Sequence, residues 1–215
     1  MKPYSVILFA LLTATAARAA DDPARTQTLL APTAEVLEPG QFRLSFTDFV
    51  FYHVEAGVAP QWQAGATLAP PGVIADAKYQ YRATDSTQLA MFAVGGIGFE
   101  GKPALALAHV ATFSPSIFQI NTALGIGTFG GTLDFPGSLG AAIQLGDHVK
   151  LLTEASVDLT YLTSGHTYVE GFGLGGLRYF RESFSVDAGL ALYSDILYGA
   201  DYFPMFPWLS FSFRP

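Results

Sequence analysis

Hydrophobic and polar residues alternate along most of the chain from Gln41 onward. Within residues 148–161, for example, Val157 lies between the polar residues Ser156 and Asp158. A period of two is typical of β-strands, because successive side chains of a strand point to opposite faces of the sheet. The pattern therefore predicts an all-β protein.

Short groups of Gly, Pro, Ser and Asp interrupt the alternation and divide residues 41–213 into about twelve strands, with a range of 10–14. This division leaves about 14 residues for each strand and its connection, which fits a tilted membrane strand of about 9–11 residues. We expect connections near residues 48–49, 60–61, 70–72, 84–86, 100–103, 114–116, 130–136, 146–147, 163–165, 181–182 and 195–204. Residues 41–58 are compatible with one bent strand or with two.

The composition favours a membrane barrel over a soluble sandwich. Charged residues make up only 13% of the chain, whereas soluble domains carry about 25%. The more polar strand faces are rich in Gly, Ala and Ser. Aromatic residues collect near the predicted strand ends, as in an interfacial girdle: Trp62, Tyr79, Tyr81, Tyr179, Phe180, Trp208 and Phe213. We therefore predict an antiparallel up-and-down transmembrane β-barrel and keep the sandwich as the alternative.

The first 19 residues have the features of a cleaved signal peptide. Lys2 precedes an apolar stretch at residues 6–14, and Ala17-Arg18-Ala19 offers a cleavage site before Ala20. The apolar stretch is short for a membrane anchor, which needs about 20 residues. Asp, Pro and Gly interrupt any periodicity in residues 20–40, which we interpret as a flexible periplasmic linker, with residues 41–215 as the barrel.

Both ends of the mature chain resemble known bacterial sequences. The alternating segment Leu209-Ser210-Phe211-Ser212-Phe213 resembles the C-terminal strand signal that barrel-assembly machinery recognises. Residues 32–34 (Pro-Thr-Ala), Leu37 and Pro39-Gly40 are similar to the opening of an uncharacterised family of bacterial outer-membrane β-barrel proteins. The resemblance implies the outer membrane of a Gram-negative cell as the location, with membrane lipid and the assembly machinery as partners. It implies no particular activity.

Polar side chains on the inward face of the predicted strands are the candidate site residues. We expect the lumen to be lined by Arg43, His53, Glu55, Asp76, Lys78, Lys150, Glu154, Asp158, Glu170, Arg178 and Asp187. Two interpretations remain open. The residues could form a selectivity lining with a mild preference for cations, because six are acidic and four basic. They could equally pair with each other across strands and plug the barrel.

The sequence predicts no metal, cofactor or catalytic residue. The chain has four histidines (His53, His109, His148 and His166) without the spacing of a metal site, and no cysteine. It has no basic stripe that would bind nucleic acid, since its net charge is −7. His109 shares a face with Leu105 and Leu107, so either that strand contains a bulge or its facing is reversed.

The leading functional hypothesis is a small outer-membrane channel or ligand-admitting barrel for an unidentified small solute. One alternative is a plugged barrel with a structural or assembly role. Another is a lipid hydrolase embedded in the membrane, which needs a Ser–His pair such as Ser45 with His53.

Overall fold

The computed structural model describes residues 22–29, 31–48, 51–69, 72–97, 101–115, 117–161, 167–195 and 205–215. The predicted signal peptide and the predicted connection at 163–165 lie outside the described residues, as does most of the one at 195–204. Within the described ranges, no helix is long and apolar enough to cross a membrane.

Twelve strands make up the described fold. They are β1 (Phe42–Thr47), β2 (Phe51–Ala59), β3 (Trp62–Ala69), β4 (Gly72–Ala83), β5 (Thr87–Ile97), β6 (Pro103–Phe113), β7 (Phe118–Phe129), β8 (Thr132–Gly146), β9 (Val149–Tyr161), β10 (Thr167–Arg181), β11 (Phe184–Asp195) and β12 (Met205–Phe213). Each strand pairs antiparallel with the next, and β1 closes the sheet on β12 with Leu44 opposite Phe213. The predicted all-β, antiparallel, up-and-down barrel of about twelve strands is confirmed.

The two ends of the barrel differ. The connections at 60–61, 84–86, 114–117, 147–148 and 182–183 lie at the end where β1 begins and β12 ends. We call this the terminal end. The other connections lie at the opposite end, which we call the far end. In outer-membrane barrels the short turns are periplasmic, so the terminal end corresponds to the periplasmic side of such a barrel.

Residues 41–58 form two strands rather than one. Asp48 follows β1 with a φ of 51°, a conformation that Asp adopts more readily than most residues. Its backbone N–H donates to the carbonyl of Leu209, and its carboxylate accepts from the N–H of Leu209 at 2.8 Å. These contacts with β12 hold the reversal between β1 and β2.

The predicted long connection at residues 130–136 is wrong. Gly130 and Gly131 form a tight turn with φ of 59° and 92°, and β8 begins at Thr132. Pro136 therefore lies inside β8, where it is opposite Asp158 of β9. The ladder between β7 and β8 omits Phe135 and Pro136. A proline has no N–H to donate, so this local gap accommodates it.

Large apolar side chains cover the outside of the barrel. Val157 is 45% exposed, and residues such as Leu107, Leu124 and Leu139 are exposed in the same way. Trp62 and Tyr79 stack on this outer surface with ring centroids 4.6 Å apart. Two members of the predicted girdle are buried instead, because their strand parity turns them into the lumen: Phe180 (0% exposed) and Trp208 (5%).

His109 lies on the outer face together with Leu105 and Leu107. The pairing of β6 with both neighbours is regular, so neither a bulge in β6 nor a reversed facing explains it. The irregularity lies in the neighbouring pair of β4 and β5, beside Tyr81. The Tyr81 hydroxyl hydrogen-bonds to Nε2 of His109, which gives the imidazole a polar partner on an apolar surface.

Residues 22–29 and 31–37 lie inside the barrel, which corrects the prediction that residues 20–40 form a periplasmic linker. Ala24, Leu29, Ala34 and Leu37 are at most 1% exposed. We call residues 22–29 and 31–40 the lumen segment. Its Pro and Asp residues interrupt strand periodicity as expected, but they do so within turns that fill the barrel.

The facing of β9 can be tested by placing arginine at neighbouring positions. Val157→Arg puts a charge on the apolar outer face, whereas Ser156→Arg puts it in the lumen beside Asp158. We expect Val157→Arg to lower the free energy of unfolding in urea by at least about 1 kcal/mol more than Ser156→Arg, because arginine on a lipid face costs about 2–4 kcal/mol at the midplane. Equal losses would contradict a membrane-facing Val157.

Candidate functional site: the barrel lumen

The lumen segment is a short hairpin that enters and leaves at the terminal end. Its first part forms turns, in which Arg25 N–H donates to the carbonyl of Asp22. Thr28 N–H donates to the carbonyl of Ala31, and Thr33 N–H donates to that of Thr26, so the two parts of the segment run antiparallel. The returning part ends where Pro39 pairs with Gly57 of β2.

Asp22 anchors the beginning of the hairpin to the wall. Its carboxylate lies 2.6 Å from Lys150 Nζ and 3.3 Å from Arg178 Nη1, and all three side chains are largely buried. Burial by itself would raise the pKa of Asp22, but the charges of Arg178 and Lys150 outweigh it and hold this pKa well below its usual range. Asp22 is therefore ionised at neutral pH.

Arg178 connects the wall to the backbone of the hairpin. Its Nε and Nη2 donate to the carboxylate of Asp187 at 2.7 and 2.8 Å. Its remaining donors reach carbonyls of the lumen segment, at 3.0 Å for Ala24 and also at Thr28. A planar guanidinium can make this bidentate contact and still donate elsewhere.

Glu154 supports the reversal of the hairpin. Its carboxylate accepts from the backbone N–H of Leu29 at 3.1 Å and from that of Ala31 at 3.0 Å. These groups would otherwise be buried donors without a partner. The most central acidic residue of β9 is thus engaged by the hairpin.

Arg43 and Glu55 form a second ionic group against the hairpin. They pair at 2.6 Å across β1 and β2. Arg43 also donates to the side chain of Gln27 at 2.9 Å, and Thr26 donates to Glu55 at 2.9 Å. The Gln63 amide donates to Glu55 at 2.7 Å.

Lys78 and several uncharged wall residues bind the rest of the hairpin. Lys78 Nζ donates to the carbonyls of Thr26 (3.2 Å) and Glu35 (2.8 Å). Three more wall side chains contact its backbone, namely Gln63 at Leu37 and both Gln80 and Thr112 at Ala34, and Asn121 donates to the hydroxyl of Thr28. Sequence reasoning missed these four residues because it considered ionisable side chains only, although their inward parity was available.

Apolar contacts complete the attachment. Leu29 packs in a cluster with Ala142, Leu152, Leu174 and Trp208. Close approach also requires Gly140 of β8, because a Cβ at this position would come within 2.8 Å of Thr28 Oγ1. The wall is therefore shaped to the hairpin as well as hydrogen-bonded to it.

His53, Glu55 and Asp76 bring three potential metal ligands together, with ligand atoms within 4.8 Å of one another. His53 Nε2 lies 3.1 Å from Asp76 Oδ2. Both oxygens of Glu55, however, already accept from other groups, among them Arg43. A cation would have to displace these donors, so the residues do not fit a metal site.

The Ser–His pair of the hydrolase hypothesis lies in the same region. Ser45 and His53 are register partners across β1 and β2. The hydroxyl of Ser212 donates to Ser45 Oγ at 3.3 Å, and His53 faces Asp76. Hydrolysis by this group stays a prediction.

The far end of the lumen contains a cavity of about 430 Å³ above the hairpin. Ala31 and Pro32 form its floor, and Asp158 and Glu170 lie in its wall. We call this cavity the vestibule. Asp134, which sequence reasoning placed in a loop, is also buried near the far end of β8 and accepts from Thr132 Oγ1 at 3.1 Å.

The structure separates the eleven predicted lumen residues into two groups. Nine lie among the contacts of the hairpin or next to them: Arg43, His53, Glu55, Asp76, Lys78, Lys150, Glu154, Arg178 and Asp187. Asp158 and Glu170 line the vestibule, and Glu154 reaches it as well. The first group is paired with itself or with the hairpin rather than facing an open channel.

Comparison with known proteins identifies the fold. No known protein-family model matches the chain, and no curated protein sequence matches it. A solved structure described as the NanC porin has a TM-score of 0.61 and 7% sequence identity, over 81% of this chain and 99% of that chain. Outer-membrane expressed OmpT of Vibrio cholerae has a TM-score of 0.50 and 9% identity, over 77% of this chain and 64% of that one. The chain thus has a porin-like β-barrel fold.

Asp22→Asn tests the ionic anchor. The variant leaves Lys150 without its buried carboxylate, so we expect the free energy of opening of the lumen segment to fall by about 3 kcal/mol, measured by hydrogen exchange of residues 22–40. The stabilisation from a lowered pKa is present above the unfolded value of about 3.9 and is lost only below it. The difference in the free energy of opening between the variant and the unmodified protein should therefore be constant between pH 5 and pH 8. Glu38→Gln, which alters an exposed carboxylate of the same segment, is the control and should change little.

A cysteine pair tests the position of the hairpin. The chain has no cysteine, and the Cβ of Thr28 lies 3.2 Å from a Cβ built on Gly140, close to the 3.5–4.5 Å of a disulfide. We expect Thr28→Cys with Gly140→Cys to form a disulfide in most molecules, detected by mass spectrometry of the digested protein. Thr28→Cys with Gly175→Cys should not cross-link, since Gly175 has no neighbour within 4 Å of such a Cβ. Cross-linking of the control alone would refute the hairpin position.

Proposed function

We propose that this protein is an outer-membrane β-barrel whose lumen is closed by its own N-terminal segment. The observation that carries the proposal is that the lumen segment binds six charged residues of the wall: Arg43, Glu55, Lys78, Lys150, Glu154 and Arg178. Asp22, Arg178 and Glu154 illustrate this, since each binds across the boundary between hairpin and wall. The lumen of such a barrel offers no continuous path for a solute while the hairpin is docked.

The outer surface and the N-terminal sequence support the membrane location. Exposed leucines such as Leu105, Leu124 and Leu139 surround the barrel, and a wall of this kind needs lipid to cover it. The likeness to a protein described as a porin agrees with the same environment. We further propose that the chain is exported and that the mature protein begins at Ala20 in the outer membrane.

The attachment of the hairpin is suited to release as well as closure. Many of its contacts are hydrogen bonds and ion pairs, which water can replace, and its apolar contacts include those of Leu29 and Ala34. The hairpin also enters from the terminal end, so it can leave without unpairing a strand. We therefore propose a closed channel or ligand-admitting barrel rather than a permanently open pore.

Planar-bilayer recordings test the closure. The refolded mature protein should be silent, and a variant lacking residues 22–38 should conduct in small steps that weakly favour cations. The preference follows from the six acidic and four basic residues of the lumen wall. Converting Glu154 to Gln and Asp158 to Asn in the deletion variant should weaken this preference for cations.

Circular dichroism and heat-modifiable gel mobility serve as folding controls for each sample. Steady conductance by the full mature protein would contradict the closed lumen. A folded but silent deletion variant would show that another part of the chain closes the barrel.

A further inference from the structure

The lumen is electrically divided along its axis. The four basic lumen residues lie in the halves of their strands nearer the terminal end: Arg43, Lys78, Lys150 and Arg178. Asp134, Asp158 and Glu170 lie in the far-end halves of β8, β9 and β10. The cations that neutralise lumen carboxylates are therefore confined to one side of the hairpin.

Within the described part of the chain, Asp158 and Glu170 have no cationic partner. Among the described residues, no Lys or Arg side chain lies within ion-pair distance of Asp158 or Glu170. Asp158 Oδ1 is shielded from solvent and has no hydrogen-bond partner. By contrast, Asp22, Glu55 and Asp187 each have a cation within 2.7 Å. An unpaired buried acceptor is costly, and a bound donor relieves that cost.

The wall opposite these acids is apolar. Phe92 and Val94 of β5, with Ala106 and Ala108 of β6, line one side of the vestibule. Phe172 lies on the same inward face of β10 as Glu170, on the side of the vestibule that carries the carboxylates. A cavity of about 430 Å³ falls in the range of small-molecule sites, roughly 300–1,000 Å³.

We propose that the vestibule binds a small organic cation, with an ammonium group at Asp158 and Glu170 and an apolar body against Phe92, Val94 and Ala108. The ammonium supplies positive charge beside two carboxylates and a hydrogen-bond donor for Asp158 Oδ1, which has no partner. The alkyl or aryl body covers the apolar wall, which a hydrated inorganic cation would leave exposed. Among the described residues, the one group with the dimensions of a metal site is His53, Glu55 and Asp76, which lies outside the vestibule.

The inference rests on the closed barrel proposed above, because Ala31 and Pro32 of the docked hairpin form the floor of the site. A ligand would reach it from the far end, which corresponds to the cell exterior. The hairpin would thus stop the ligand rather than let it pass directly. Binding and conduction are separate properties of this arrangement and can be measured separately.

A head-group series tests the inference on the full mature protein in lipid nanodiscs. The probes are 4-phenylbutylamine, 4-phenylbutanol and 4-phenylbutyrate, which share one apolar body and are cationic, neutral and anionic at pH 7. Isothermal titration calorimetry, with empty nanodiscs as the blank, measures saturable binding. We expect the amine to bind about tenfold more tightly than the alcohol, since hydrogen bonds to charged groups are the stronger ones, and the butyrate to bind most weakly.

Matched variants assign the site. Asp158→Asn with Glu170→Gln should weaken amine binding about tenfold and remove the preference for the amine over the alcohol. The control is Asp85→Asn with Asp147→Asn, which removes the same charge from exposed turns at the terminal end and should leave binding unchanged. Ala108→Phe should abolish binding of all three probes by filling the cavity. If the acidic double variant does not fold, the head-group series and Ala108→Phe decide the question.

Three results would overturn the inference: no saturable binding, equal affinity for amine and alcohol, or unchanged affinity in the folded acidic double variant. Bilayer recordings on the same preparations separate this failure from failure of the closed barrel. A silent protein that binds no probe refutes the cation site alone. A steadily conducting protein refutes the closure.

Discussion

A peptide segment can be buried inside a barrel only if its backbone N–H and C=O groups find partners there. This constraint explains the chemistry of the lumen wall. Arg178, Lys78 and Gln80 donate to carbonyls of the lumen segment. Glu154 and Thr112 accept from its N–H groups. The sequence alone makes these charged wall residues look like the lining of an ion channel. In the structure they make the hydrogen bonds that water would otherwise make to the backbone of the lumen segment.

The same constraint accounts for the distribution of charge. A buried arginine or lysine needs a carboxylate close by, and Asp22 provides one from the hairpin to Lys150 and Arg178 together. Because these cations are engaged near the terminal end, Asp158 and Glu170 at the far end have no Lys or Arg partner among the described residues. The basic residues of the lumen lie toward the terminal end, where they hold the hairpin, and the carboxylates of the proposed cation site lie at the far end. Both the closure and the proposed site thus follow from this uneven distribution of charge.

Small residues make the arrangement possible sterically. Gly140 leaves room for Thr28, and Gly57 allows the backbone of Glu38 to approach, where a Cβ would meet the carbonyl oxygen at 2.1 Å. In the sequence, the Gly, Ala and Ser content of the inner faces favoured a membrane barrel over a soluble sandwich. In the structure, part of this content is needed because another segment of the chain lies directly against the wall.

The sequence by itself determined the strands, their number and the facing of most side chains, because period-two alternation is a local property of each strand. Inward charges such as Glu154 and Arg178 could therefore be identified without the structure. The same alternation places Phe180 and Trp208 on the inward face. The prediction placed them in the outer girdle because they are aromatic and lie near strand ends. Pro136 likewise lies in β8 because the ladder to β7 is locally open, which no local signal reveals.

The position of residues 22–40 was decided only by the tertiary structure. Their turn-forming composition is equally compatible with a linker, and their hydrogen-bond partners are distant in sequence: Glu154 lies 125 residues from Leu29 and Arg178 lies 156 from Asp22. A charged residue on an inward face looks the same whether it meets water or a buried peptide group. The barrel must close before these partners come together, so only the folded chain distinguishes a lined pore from a filled one.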